Sequence, residues 1–242
     1  MNRCGLVALL CGFLFLCHAA QSQDSAKPKP TFLVTPRFNS AGHFPFSGAL
    51  INKHPNLDIN VFFEQKGNGF FIFKSYDLND SHSIVNYLQP GIFKKFNLSS
   101  KLRLGTFFGY VFSQTEGFKD KDSDYYTAAV VYWTITDKFK LENTALFFDL
   151  NQSIKLANRM LLTYTLKEFR FDFYVWERVV FEANVYATSA SLAVNFPKIR
   201  LSDAIHIQNT ISYQGYLTPT KPDWALRKGL LISVAFPISI SK

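Results

Sequence analysis

Between Thr31 and Ile240 the chain alternates apolar residues with polar or small ones, in short segments parted by turn-forming clusters. The last segment shows the beat. Leu230, Ile232, Val234, Phe236, Ile238 and Ile240 share one parity, and Gly229, Ser233, Ala235 and Ser239 the other. Successive side chains of a strand point to opposite faces, so such a segment carries one greasy face. The pattern predicts strands over Thr31–Phe38, Leu57–Gln65, Gly69–Tyr76, Ile84–Phe96, Ser100–Ser113 and Asp124–Thr136. It predicts others over Lys140–Leu150, Ile154–Leu166, Phe169–Phe181, Val185–Phe196, Ser202–Tyr216 and Arg227–Ile240. Pro36 weakens the first, because proline donates no ladder bond.

The links between segments alternate in length. Short ones fall at Lys66–Asn68, Asn97–Ser99, Asp137–Phe139, Lys167–Glu168 and Pro197–Leu201. Longer or more polar ones fall at Asn39–Asn56, Asp77–Ser83, Gln114–Ser123 and Leu217–Leu226. Tight turns at one end and long loops at the other are the habit of transmembrane barrels, and an even count of about twelve strands puts both termini at the tight-turn end. Turn signals are weak near Asn151–Ser153 and Glu182–Asn184, which leaves a count of about ten open.

Parity also assigns faces. In Ser100–Ser113, Leu102, Leu104, Phe108, Tyr110 and Phe112 oppose Lys101, Arg103, Gly105 and Gly109. In Ile154–Leu166, Ile154, Leu156, Met160, Leu162 and Tyr164 oppose Lys155, Arg159, Thr163 and Thr165. In Phe169–Phe181, Phe169, Phe171, Phe173 and Val175 oppose Arg170, Asp172, Tyr174 and Arg178. Many strands with an apolar, aromatic face need an apolar solvent for it, and only closed sheets cross a bilayer. The expected fold is all-β: a single closed antiparallel up-and-down transmembrane barrel, lipid outside and ionisable side chains within. A one-residue slip would drive the arginines into hydrocarbon at about 2–4 kcal/mol each. Asp124–Thr136 and much of Gly69–Tyr76 are apolar or aromatic on both faces and so need a packed interior beside them.

Composition agrees with this frame. Aromatic residues make up 17% of the chain, and 26 positions are phenylalanine. Residues 1–22 read as an export signal: Arg3 is the charged start, Leu6–Leu16 the apolar run, and Ala20-Gln21-Ser22 the cleavage site. Residues 23–30 form a polar leader, and 31–242 the barrel domain. The three cysteines, Cys4, Cys11 and Cys17, all lie in the signal, which excludes a disulfide framework or a thiolate site from the exported chain. The net charge of +8 suits anionic lipid head groups or permeating anions. The chain has no nucleic-acid motif or basic arm.

With these elements the chain resembles the outer-membrane β-barrel proteins of Gram-negative bacteria as a broad class. The resemblance rests on the signal, on hairpins such as Tyr132-Trp133-Thr134-Ile135-Thr136-Asp137-Lys138-Phe139-Lys140-Leu141, and on the closing strand Gly229–Ile240. The chain ends Ile240-Ser241-Lys242 with Phe236 as its last aromatic, and so departs from the terminal aromatic common in the class. The resemblance implies a bacterial outer-membrane location with lipid around the wall. It carries over no functional residues, cofactor or metal.

The candidate functional set is the inward ionisable group of Lys101, Arg103, Lys155, Arg159, Arg170, Asp172 and Arg178, with Asp58 and Glu64 in partial balance. Charges along a pore bias which ions enter it. The leading expectation is a small passive channel for small polar or anionic solutes. The alternatives are a plugged barrel serving as accessory or scaffold subunit of an outer-membrane complex, with Trp224 as a loop contact, a membrane-embedded lipid hydrolase, and a soluble β-sandwich. Ser81-His82-Ser83 brings hydrolase residue types together, but in a polar loop. Asp120, Asp122 and Asp124 lack the glycine and distal glutamate of a calcium loop.

Overall fold

The computed structural model describes residues 30–44, 49–113, 123–151, 154–180, 185–223 and 225–240. The predicted signal, nearly all of the leader and Trp224 lie outside the described residues. The strands are β1 (Thr31–Asn39), β2 (His43–Phe44), β3 (Ala49–Leu50), β4 (Asn56–Gln65), β5 (Asn68–Asp77), β6 (Tyr87–Asn97), β7 (Leu102–Ser113) and β8 (Asp124–Thr134). They continue with β9 (Phe139–Phe148), β10 (Lys155–Leu166), β11 (Phe169–Val180), β12 (Val185–Asn195), β13 (Ile199–Arg200), β14 (His206–Tyr216), β15 (Lys228–Ala235) and β16 (Ile238–Ser239).

The long strands pair antiparallel with their neighbours in sequence, and β1 closes the sheet against β15 and β16. The result is a closed 12-strand up-and-down barrel. Closure leaves no unpaired edge, which backbone amides in hydrocarbon require. The seam is interrupted at Pro36 and Pro237. β15 pairs Arg37–Asn39, β16 pairs Leu33 and Val34, and Phe236 N donates to Pro36 O at 2.9 Å. Pro36 is thus accommodated where the ladder passes from one partner strand to the next.

Register puts the greasy parity outside. Phe38, Ile92, Phe108, Met160, Leu192 and Leu230 are large, apolar and exposed, and none lines the interior cavity. Inner positions run Arg37↔Asp58↔Ser75↔Tyr87 across four strands, and Arg103↔Tyr132↔Glu142 across three others. The apolar exterior of a closed barrel fits the wall for contact with lipid.

Strands that are apolar on both faces have a clear role. The inner face of β4 to β8 is an aromatic wall. Phe62 stacks on Phe93 at 5.1 Å between ring centres, Phe93 meets Phe107 at 5.5 Å, and Phe71 meets Phe107 edge-on at 6.2 Å. Phe71, Phe93 and Tyr126 form one buried cluster. Gly91 makes the close approach possible: a Cβ there would stand 2.6 Å from the Tyr126 hydroxyl and 2.7 Å from the Phe71 ring.

Candidate functional site

The lumen divides by chemistry. Facing the aromatic wall, the inner surface of β12, β14 and β15 carries Ser189, Ser191, Asn195, Ser212, Gln214 and Ser233, all buried. Against the aromatic wall lies a cavity of about 330 Å³. Phe62, Phe71, Phe73 and Phe107 line one side, and Thr144, Ala157, Arg159 and Trp176 line the other. Twelve strands lie between the ~8 whose interior side chains just fill and the ~16–18 that leave an open aqueous channel. Space for a solute therefore depends on where the large side chains stand.

The chain after β1 does not form an outer loop, as the sequence pattern predicted for Asn39–Asn56. The β2–β3 hairpin turns into the barrel mouth. Ala49 packs in one cluster with Ala157, Trp176, Ala187 and Tyr216, all on inward positions of β10, β11, β12 and β14. Leu50 packs with Ala41 and Leu231, and its carbonyl accepts from Leu226 N at 2.9 Å. A Cβ on Gly229 would meet Leu50 Cδ1 at 2.6 Å, so the hairpin lies directly on β15. Asn52 latches its base: its amide donates to Asp77 Oδ2 at 2.7 Å and Ser83 Oγ at 3.1 Å, and its Oδ1 accepts from Gly42 N at 3.2 Å. The physical reason for the inward turn is apolar. Ala41, Ala49, Leu50 and Ile51 are buried, which an outer loop in water could not achieve.

His43 on this hairpin is buried and its Nδ1 has no hydrogen-bond partner. Burial pushes its pKa down to about 4; Asp58 opposes the shift and Arg37 adds to it. The imidazole is therefore neutral while the hairpin is docked.

Beneath it a polar network ties the seam. Asp58 accepts from Asn39 Nδ2 at 2.8 Å, Asn56 Nδ2 at 2.7 Å and Ser75 Oγ at 2.8 Å, and Ser233 Oγ donates to Asn39 Oδ1 at 2.6 Å. Three donors satisfy this fully buried carboxylate without an ion pair.

The inward ionisable residues sit in different settings. Arg159 lines the cavity and pairs with Glu142, which the sequence reading had not singled out. Arg170 meets Asp172 at 3.1 Å, and Asp172 also accepts from Thr163 Oγ1 and Asn195 Nδ2, both at 2.8 Å. Lys155 pairs with Asp149, and Arg178 lies over the Phe148 ring at 5.1 Å. Arg103 lies over the Tyr132 ring at 5.6 Å. Lys101 belongs to the exposed turn before β7 rather than to its wall, because the chain already reverses at Leu98–Leu102. Glu64 pairs with Lys95 at 2.5 Å, a lysine likewise not singled out.

Arg37 lines the cavity and makes neither ion pair nor hydrogen bond among the described residues. It was missed because Pro36 demoted its strand, although its parity opposite Phe32, Val34 and Phe38 carried the signal.

Among the described residues the hydrolase and metal candidates are not gathered into a site. Ser81 Oγ and His82 Nδ1 are 3.3 Å apart but exposed in a loop. Asp120 and Asp122 lie outside the described residues. Asp124 Oδ2 accepts from Asn151 N at 2.9 Å, and no cluster of metal-ligating side chains occurs among the described residues.

Comparison with known proteins reaches the fold. No family model matches the sequence, and no curated protein matches it. Among solved structures, the KdgM porin is similar with a TM-score of 0.59 and 8% identity, over 86% of this chain and 99% of that one. The NanC porin is similar with a TM-score of 0.58 and 10% identity, over 86% of this chain and all of that one. A KdgM porin in complex with disordered oligogalacturonate gives 0.56 and 7%, over 87% and 99%. The chain shares the closed-barrel fold of these porins.

Proposed function

We propose that the protein is a small passive channel of the outer membrane for small polar or anionic solutes, with no catalytic role. The observation that carries this is the reversal of polarity across one wall. The exterior is apolar, while the interior holds Arg37, Arg159, Arg170, a polar wall and a solute-sized cavity. The fold shared with the KdgM and NanC porins supports it, as does the oligogalacturonate named with one of them. Residues 1–22 serve as the export signal, residues 23–30 as a leader, and Trp224 as a loop contact to other outer-membrane proteins. The inserted hairpin narrows the mouth, so conductance should be small.

Ion pairs with Glu142, Asp172, Glu64 and Asp149 offset most of the inner cations. Selectivity then falls to cations that make no ion pair among the described residues, Arg37 in the cavity and Arg103 at the tight-turn end. Reconstitution in a planar bilayer is expected to give discrete conductance steps with anion preference, and Arg103→Glu to lower that preference. A folded, heat-modifiable barrel that conducts at no voltage and no pH would refute the reading.

A further inference from the structure

The cavity has a more specific chemistry than a water path needs. We propose that it is a binding subsite for small aromatic carboxylates, in which Arg37 holds the carboxylate and the Phe71–Phe73–Phe107 wall takes the ring. This deepens the channel reading and rests on it for its purpose, though not for its geometry.

The argument begins with Arg37. Its guanidinium borders the cavity and has no carboxylate or carbonyl partner among the described residues. Its cross-strand neighbour Asp58 does not take it, because Asn39, Asn56 and Ser75 already occupy that carboxylate. Asp58 is also fully buried in the wall, so its charge offsets that of Arg37 without using the guanidinium donors. A planar fork with unused donors beside a cavity suits a bidentate carboxylate. The other cations around the cavity are committed, Arg159 to Glu142 and Lys95 to Glu64.

The body of the ligand follows from the rest of the lining. Phe62, Phe71, Phe73 and Phe107 form one side, and Trp176, Leu146 and Ala157 the far side. Aromatic rings prefer offset or edge-on aromatic neighbours, which stabilise a bound ring beyond area burial alone. A volume of about 330 Å³ stands at the low end for small-molecule sites, which suits a ligand of one ring. Gln89, Asn60 and Thr35 border the cavity and can hydrogen-bond a ring substituent. A sugar acid presents the same carboxylate but would set its hydroxyls against four phenylalanines.

The test uses the full-length folded barrel. Calorimetric titration in detergent with benzoate, acetate, glucuronate and benzyl alcohol reads the subsite whether or not the barrel conducts. Bilayer recordings with the same solutes read current block. Benzoate is expected to bind and to block at concentrations at least tenfold below acetate, glucuronate and benzyl alcohol. Arg37→Gln is expected to weaken benzoate about tenfold or more while leaving benzyl alcohol unchanged, since it removes a charge-assisted contact. Glucuronate equal to or tighter than benzoate, or benzoate no better than acetate, overturns the proposal on the unmutated protein alone. Benzoate binding in a barrel that never conducts upholds the subsite and sinks the channel reading. Conductance without benzoate binding does the reverse.

Discussion

Acidification should release the hairpin from the barrel mouth, and His43 sets the size of the effect. The docked imidazole has its pKa lowered from 6.5 to about 4. In a hairpin released to water it returns to about 6.5. The released state therefore binds a proton that the docked state refuses. Above pH 6.5 both are neutral and docking is fully stable. From 6.5 down to about 4, docking loses about 1.4 kcal/mol per pH unit, or about 3 kcal/mol in all. Below that the docked form titrates too, and the loss levels off. The opposing term is apolar: burying a side chain such as Leu50 contributes about 1.5–3 kcal/mol. The proton penalty is thus comparable with this apolar term, and at its limit it shifts the docked-to-released ratio by about three-hundredfold. Asp58 and Arg37 act on the ring in opposite senses. The assay is single-channel open probability at stepped pH from 7.5 to 4. Wild type is expected to open progressively below pH 6.5, and His43→Asn, neutral throughout, to give a flat profile. His54, whose Nδ1 is 3.5 Å from Asp77 at the hairpin base, is the control: His54→Asn should keep the acid response. A flat wild-type profile, or an unchanged response in His43→Asn, would refute the reasoning.

Gly229→Val should displace the hairpin without changing its sequence, since a Cβ there strikes Leu50 Cδ1; raised conductance at neutral pH is the readout, and an unchanged value counts against the docked geometry. Leu50→Ala should act in the same direction, weakening docking by about 2–4 kcal/mol through lost burial and the cavity left behind. Glu142→Gln strips Arg159 of its carboxylate and should raise the anion-to-cation permeability ratio measured by reversal potential. Met160→Arg on the exterior should destabilise the folded barrel by about 2–4 kcal/mol in urea titration from liposomes, while Thr163→Arg on the inner face of the same strand should change it far less.

Every predicted strand segment corresponds to a long barrel strand, and most differences lie at the ends. Ile84, Val85 and Asn86 were read as strand but belong to the loop before β6, where Val85 is fully buried beside Gly42. Ser202 to Ala204 lie in the turn before β14, closed by the Ser202 hydroxyl. Such ends depend on side-chain–backbone bonds that alternation does not encode. The doubly apolar strands look irregular in sequence because parity assumes a polar interior. Once β4 to β8 stand side by side, Phe71, Phe93, Phe107 and Tyr126 cover one another.

Alternation and the rhythm of link lengths determined the all-β class, a count of about twelve strands with ten left open, the side facing lipid, and which end carries tight turns. Each of these follows from a local two-residue period and from the bilayer's penalty on a slipped register. Only the tertiary structure decided which cations are neutralised, that Arg37 stands alone by the cavity, and that the hairpin after β1 folds inward. Those depend on register between strands far apart in sequence, as with Asn39 and Ser233, and on apolar residues finding partners across the lumen. A periodicity along one strand holds no record of what stands opposite it.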